Sequence, residues 1–317
     1  MATPLKIGII GFGSIGAKHL INVIWVLTQQ QRDFQIDLIR SGKGQDIEER
    51  YLSLIHSIYT SYDSVPCDYD VLFICNPTNK HYETIKMFID KTHHMFIEKP
   101  VFDQIGVDLT ALNLKKDAIY YVACPLRYTK VIQYIKNNLD LTQVICARAI
   151  SSSYLPNWRT NIDYRQTYSA HLNQGGGVSI DLIHEWDYLK YLFGEPQEVL
   201  NLRGQFSALE IDSDDLSLYI AKYPTMMVEL HLDYFGRETL RELVLFTSHD
   251  TIVADLAKSQ IRFLKKGEVI SFDEVRDDFQ RREIEHFFDI VDQRCVNDNT
   301  IENALLTLRI VQTNHSL

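Results

Sequence analysis

No apolar run in this 317-residue chain is long enough to cross a bilayer. The longest, LINVIWVL at residues 20–27, falls far short of the ~20 residues a spanning helix needs. Positive charge is also short: 32 Lys and Arg stand against 42 Asp and Glu, a net charge of −10. That balance argues against general nucleic-acid binding and requires any anionic ligand to be held by local donors. Five cysteines (Cys67, Cys75, Cys124, Cys146, Cys295) are odd in number and form no CxxC pair, which reads as free thiols in a reducing compartment. HxxxH and HExxH are absent, so no metal site is expected. The opening MATPLKIGIIGFG enters a strand at once without signal-peptide architecture. The expectation is a soluble, cytoplasmic protein with no membrane and no nucleic-acid partner.

What is present is ordinary globular composition, 45% hydrophobic and 23% charged, in a chain longer than one domain of ~100–200 residues. Residues 5–124 alternate apolar strands (LKIGII, FQIDLI, DVLFIC, HHMFIE, IYYVAC) with helices over 17–30 and 79–91. Such alternation predicts a doubly wound parallel sheet. Beyond residue 125 the spacing changes. Helices are expected at 128–138, 178–193, 277–294 and 299–313, with a long strand at 142–153. In MVELHLDYF, Val228, Leu230, Leu232 and Tyr234 share one face while Glu229, His231 and Asp233 share the other, the pattern of a half-exposed antiparallel strand. The fold class is therefore α/β: an N-terminal Rossmann sheet over 1–124, then a C-terminal α+β domain over 125–317 built on an open, mainly antiparallel sheet.

The stretch GFGSIG places Gly11, Phe12, Gly13, Ser14, Ile15 and Gly16 between the first strand and its helix. GxGxxG in that context predicts dinucleotide binding: a tight turn, close approach of a pyrophosphate, and helix amides aimed at it. Asp37 has the usual spacing for a ribose-binding acid, but the second strand's tip falls near Arg40 and Ser41, where no acid stands. Arg40, Ser41 and Lys43 suit a 2′-phosphate, so NADP is favoured over NAD.

Two further strand tips should line the nicotinamide side. CNPTNKH brings Asn76, Pro77 and His81; IEKP brings Glu98 and Lys99, with Pro100 holding Lys99 extended. A second constellation, GGGVSIDLIHEWD, puts three glycines ahead of a helix carrying Asp181, His184 and Glu185 at i, i+3 and i+4, hence on one face.

With GFGSIG, NPTNKH, EKP, LRY at 126–128 and GGGVSIDLIHEWD in this order, the chain resembles the glucose–fructose oxidoreductase / inositol dehydrogenase (Gfo/Idh/MocA) family. The resemblance implies NAD(P)-dependent transfer of a hydride to or from a hydroxyl/keto carbon of a sugar or cyclitol. It implies Lys99, Asp181 and His184 as the catalytic set. Many members have a step of four from the Asp to the His; here it is three, and Glu185 takes the fourth place, which leaves Glu185 as a second candidate acid/base.

Because an imidazole titrates near ~6.5 and a lysine near ~10.4, the simpler division makes His184 the acid/base and Lys99 the donor to the reacting oxygen. Both should flank one cleft. Tyr154, Trp158 and Arg159 in the long segment 154–174, with Arg127 upstream, are the candidate substrate contacts; aromatics stack on sugar rings and arginines clamp anions. An acidic or nucleotide-linked sugar fits that set. The spare face of the sheet suits a homodimer or homotetramer. The competing readings are a non-catalytic dinucleotide sensor or scaffold and a lyase or hydrolase that uses the cofactor transiently.

Overall fold

The computed structural model describes residues 3–42, 46–159 and 161–312, which pack as two compact units, Met1–Ala123 with Gln280–Leu305 and Cys124–Phe279 with Leu306–Leu317. Among the described residues no helix is long and apolar enough to cross a membrane.

In the first unit β1 (Leu5–Ile10), α1 (Ser14–Gln29), β2 (Phe34–Ile39), α2 (Glu49–Leu52), β3 (Ser57–Tyr59), β4 (Tyr69–Ile74), α3 (His81–Phe88), β5 (Thr92–Ile97) and β6 (Tyr120–Val122) follow in order. The six strands are all parallel, in the order β3-β2-β1-β4-β5-β6. Winding reverses between β1 and β4, the crevice where such sheets bind ligands. Ile7, Ile9, Val71, Phe73, Phe96 and Ile97 are at most 1% exposed, because a parallel sheet is covered on both faces. The segment Gln280–Leu305, given by sequence to the second domain, packs in this unit. Phe287 stacks against Phe73, Phe96 and Tyr121 at ring distances of 6.0, 5.4 and 5.7 Å, and Asn299 exchanges two hydrogen bonds with the backbone of Val122 at the sheet edge. Interlocked aromatics of this kind contribute about 0.5–1.5 kcal/mol per pair beyond their buried area. The edge bonds satisfy groups that an open strand would leave bare.

The second unit holds α4 (Lys130–Asn138), β7 (Val144–Tyr154), α5 (Val178–Asp181), α6 (Ile183–Phe193), β8 (Glu198–Gly204), β9 (Leu216–Lys222), β10 (Met227–Asp233), β11 (Phe235–Thr247), β12 (Thr251–Asp255), β13 (Gln260–Phe263) and β14 (Glu268–Ser271). α7 (Arg276–Val291) and α8 (Ile301–Gln312) close the chain. The sheet runs β14-β13-β12-β11-β7-β10-β9-β8. It is antiparallel throughout except for β10 against β7. The alternation of β10 is as its sequence indicates, with Val228, Leu230, Leu232 and Tyr234 all at 0% exposure, but one of its two neighbours is parallel. Trp186, Tyr188 and Leu189 of α6 lie under the sheet, Trp186 edge-on to Tyr219 at 5.4 Å. The single helix expected over 178–193 is broken at Leu182, where Glu185 N–H bonds the Leu182 carbonyl in a tighter i→i+3 step.

Candidate active site

Two of the three glycines of the loop tolerate no side chain. Gly11 has φ +92°, and a Cβ there would lie 2.7 Å from the Asn76 backbone nitrogen. A Cβ on Gly16 would lie 2.2 Å from the Gly11 carbonyl oxygen, so α1 meets β1 only through glycine. Gly13 is different: a Cβ there meets no atom within 4 Å. Internal packing therefore does not require a glycine there. α1 starts without a side-chain cap or an acid in its first turn, so its leading amides remain for an anion. Nearby, Asn76 donates to Thr84 at 2.7 Å while its own Oδ1 is buried without a hydrogen-bond partner. These features fit a dinucleotide pyrophosphate on the loop, with Phe12, Ser14 and Ile15 contributing its backbone.

β2 ends at Ile39, so Arg40 stands at its tip with Ser41 exposed beyond it. Asp37 is two residues too early. It is 1% exposed and accepts from Tyr69 OH at 2.8 Å. Lys43 lies outside the described residues.

Lys99 is the second residue past β5, half-buried, with a cis bond to Pro100. Its flanks are pinned from two helices. Glu98 Oε2 accepts the Lys99 backbone N–H at 3.1 Å, and Oε1 pairs with His19 Nε2 of α1 at 2.5 Å. Burial pushes the Glu98 carboxyl up, but the hydrogen bond and charge of His19 outweigh it and hold the group below the ordinary glutamate range. His81, expected among the cofactor contacts, is 1% exposed. Its ring nitrogens face the carbonyls of Asn76 at 2.9 Å and Val101 at 3.1 Å. Burial lowers its pKa. It is a brace between the Asn76–Pro77 turn and the segment after Lys99.

In the second unit Asp181 ends α5, 6% exposed, and accepts from Tyr234 OH at 2.6 Å. Tyr168 also meets Asp181; burial first, then that carboxylate, pushes its phenol well above the ordinary value. Trp158 packs edge-on to Tyr234 at 5.3 Å and bonds Ser153 through its indole N–H at 2.9 Å. Arg159 lies 5.9 Å from the Tyr168 ring. Trp158, Tyr234, Tyr168 and Asp181 thus form an aromatic wall ending in a carboxylate. Tyr154 lies apart from it, under Arg237 at 4.0 Å.

His184 and Glu185 meet a residue that no motif announced. Arg241 of β11 places Nη2 3.0 Å from His184 Nε2 and Nε 2.8 Å from Glu185 Oε1. Glu185 is fully buried. Burial raises its pKa, but Arg241 and then His184 bring it below the ordinary value. A buried carboxylate paired with an arginine is placed to orient its neighbours. Arg127 is also engaged: at 3% exposure it grips Asp187 through two hydrogen bonds of 2.8 Å. Among the described residues no group of three or more His, Cys, Asp or Glu is arranged to hold a metal.

The fold and loop are those of a dinucleotide-binding module. Residues 5–122 match the family model GFO_IDH_MocA, described as an oxidoreductase family with an NAD-binding Rossmann fold. "Uncharacterized oxidoreductase YrbE" of Bacillus subtilis (strain 168) is 27% identical over 216 residues, 66% of this chain and 59% of that protein. Myo-inositol 2-dehydrogenase of Thermotoga maritima is 23% identical over 200 residues, 61% of this chain and 56% of that one. The matches thus span little more than half of these two relatives. Among solved structures, UDP-N-acetylglucosamine 3-dehydrogenase from Acidithiobacillus ferrooxidans aligns with TM-score 0.77 at 16% identity, covering 98% of this chain and 96% of the other. Levoglucosan dehydrogenase in complex with NADH and levoglucosan aligns with TM-score 0.79 at 14% identity, covering 98% and 95%. The likeness to both structures is one of fold.

Proposed function

We propose that this protein is an NAD(P)-dependent oxidoreductase moving a hydride between the nicotinamide and a hydroxyl/keto carbon of a sugar, cyclitol or related ring, with residues 1–124 binding the cofactor and the sheet domain the substrate. The observation that carries the reading is the occurrence, in one unit, of a glycine cradle left open at Gly13 and a lysine pinned on both sides at the tip of β5. The bound dinucleotide would supply the hydride acceptor or donor. Gly11–Gly16 would hold its pyrophosphate, and Arg40 with Ser41 its adenosine ribose, NADP being preferred through Arg40.

Lys99, Asp181 and His184 are the proposed catalytic set. Lys99 supplies a cation for charge developing on the reacting oxygen. Trp158 and Tyr168 present ring faces to the sugar, and Asp181 accepts from its hydroxyls. Relatives named for inositol, levoglucosan and a nucleotide sugar support a polyhydroxylated ring. Arg127 is taken by Asp187 and Arg165 by Asp163 and Glu210, so of these candidate arginines Arg159 is the one an anionic substituent would call on. A neutral polyol is the better substrate class.

The test is thermal shift with NAD and with NADP, then a panel of neutral and acidic sugars and cyclitols followed at the nicotinamide absorbance. Stabilisation by NADP beyond NAD, with turnover of a neutral polyol, is expected. No stabilisation by either dinucleotide would remove the proposal.

A further inference from the structure

We propose that Tyr51 of α2 binds the adenosine ribose of the dinucleotide, its ring fixed by Phe12 and Arg50 and its hydroxyl bonded to a ribose oxygen. The inference deepens the proposed function and rests on its dinucleotide reading.

Where the first two strands end decides the neighbourhood. β1 and β2 run parallel with Ile10 opposite Ile39, and the Gly11 N–H bonds the Ile39 carbonyl at 2.9 Å. The residues that follow, Phe12 on one side and Arg40 with Ser41 on the other, therefore leave the sheet side by side. A dinucleotide whose pyrophosphate lies on the glycine loop carries its adenosine ribose toward the tip of the second strand, so these two exits border the ribose. α2 belongs to the chain between that tip and β3. Its Tyr51 returns to the glycine loop, where the rings of Tyr51 and Phe12 meet edge-on at 5.4 Å.

Core packing does not account for that return. A helix beside a sheet ordinarily buries an apolar stripe, yet no residue of α2 is buried, and Leu52 next to Tyr51 is 45% exposed. Phe12 and Tyr51 are themselves half-buried. Arg50 adds a second hold on the ring, its guanidinium 4.7 Å from the Tyr51 centroid. Glu48 in turn keeps that guanidinium in place through contacts of 2.8 and 3.0 Å. Stacking on an arginine and an aromatic edge orders the tyrosine before any ligand arrives. Its hydroxyl is left over: among the described residues none exchanges a hydrogen bond with it, although a phenol both donates and accepts. A ribose hydroxyl does the same, and a 2′-phosphate would accept from it, so the contact suits NAD and NADP alike. Being uncharged, it also tolerates the exposed acids Glu48 and Glu49 beside it.

Calorimetric titration of the full chain with adenosine diphosphate, NAD and NADP tests the inference, beside melting curves without ligand. Adenosine diphosphate carries the pyrophosphate and the ribose but no nicotinamide, so it probes this end alone. Y51F keeps the ring and loses only the hydroxyl. Its affinity for adenosine diphosphate and for the preferred dinucleotide should fall about fivefold, with the ligand-free melting temperature unchanged. Y51A gives up the ring as well and should lose about tenfold or more. Both variants binding adenosine diphosphate within about twofold of wild type would overturn the inference. So would a Y51F whose weaker binding came with a lower ligand-free melting temperature, because Tyr51 would then be structural. A wild type that binds neither dinucleotide removes the proposed function and this inference with it. A wild type that binds, with indifferent Tyr51 variants, removes this inference alone.

Discussion

Glu98 and His19 form a largely buried pair in which one carboxylate serves two masters: the ring of a residue on the dinucleotide helix and the backbone N–H of Lys99. The pair ties the helix that starts at the glycine loop to the strand tip that carries the lysine. Removing one partner of a buried pair leaves the other uncompensated, at about 3–5 kcal/mol. H19L should therefore lower the melting temperature by several degrees, while H19Q, whose amide reaches the same position as Nε2, should recover most of the loss. The pH dependence has a definite sign. Because the folded Glu98 carboxyl is held below its unfolded value, its contribution is complete above about pH 4.3 and disappears as pH falls through the lowered folded value. Melting curves of wild type and E98Q across that window should converge on acidification; parallel curves would refute the pairing.

Gly13 and Gly16 separate binding from folding. G13A places a methyl in open space at φ −88°, so its melting temperature should stay near wild type while dinucleotide affinity drops about tenfold or more, roughly 1.4 kcal/mol. In G16A the Cβ would lie 2.2 Å from the Gly11 oxygen, so stability itself should fall. Calorimetric titration with NADP beside thermal melts distinguishes the two. Unchanged affinity in G13A would mean that no pyrophosphate passes there.

What sequence reveals and what it conceals follow from how each contact is made. Strands β1, β2, β4 and β5 are legible because burial on both faces demands an unbroken apolar run. The tip of β2 is legible because its apolar run stops at Ile39. Arg241 is illegible: its meaning arises from sheet register, which brings it beside His184, 57 positions away in the chain. His19 finds Glu98 across 79 positions. The second unit's parallel β7–β10 pair is hidden for the same reason, since alternation reports which face is buried and not the direction of the neighbour. Arg127 misleads by composition. An arginine beside a domain junction looks like an anion clamp until its carboxylate partner, 60 positions on, is seen.

Arg127 gives a prediction that separates structure from substrate binding. Both partners are nearly sealed, with side chains 4% and 10% exposed. R127M should destabilise the protein by about 3–5 kcal/mol through the abandoned Asp187 carboxylate. R127M/D187N should regain part of that, because no buried charge then stands alone. Where R127M remains folded at low temperature, the KM for an acidic sugar should match wild type. A rise in KM selective for acidic sugars, with stability intact, would restore Arg127 as a clamp.

The outer strands of the eight-stranded sheet carry the last prediction. Leu200 and Ile220 pair across β8 and β9, as do Leu202 and Leu218, with exposures of 53%, 45%, 52% and 37%. Four aliphatic side chains opposite one another on a sheet face form a contiguous patch, and such a patch calls for a covering surface. A second copy of the chain is the proposed cover, in line with a homodimer or homotetramer. A stable interface buries about 1,200–2,000 Å² in total, more than these four residues offer. Met227 on β10, at 42% exposure, stands opposite Lys222, one pair beyond Ile220, while Glu229 and His231 lie opposite Ile220 and Leu218 and give the patch a polar border. Sedimentation at micromolar concentration should show an oligomer for wild type and a monomer for L202K/I220K, because two ammonium groups cannot be buried unpaired. The substituted positions are solvent-facing within one chain, so the variant's melting curve in dilute solution should keep its cooperativity. A wild-type monomer would leave this face without its proposed partner.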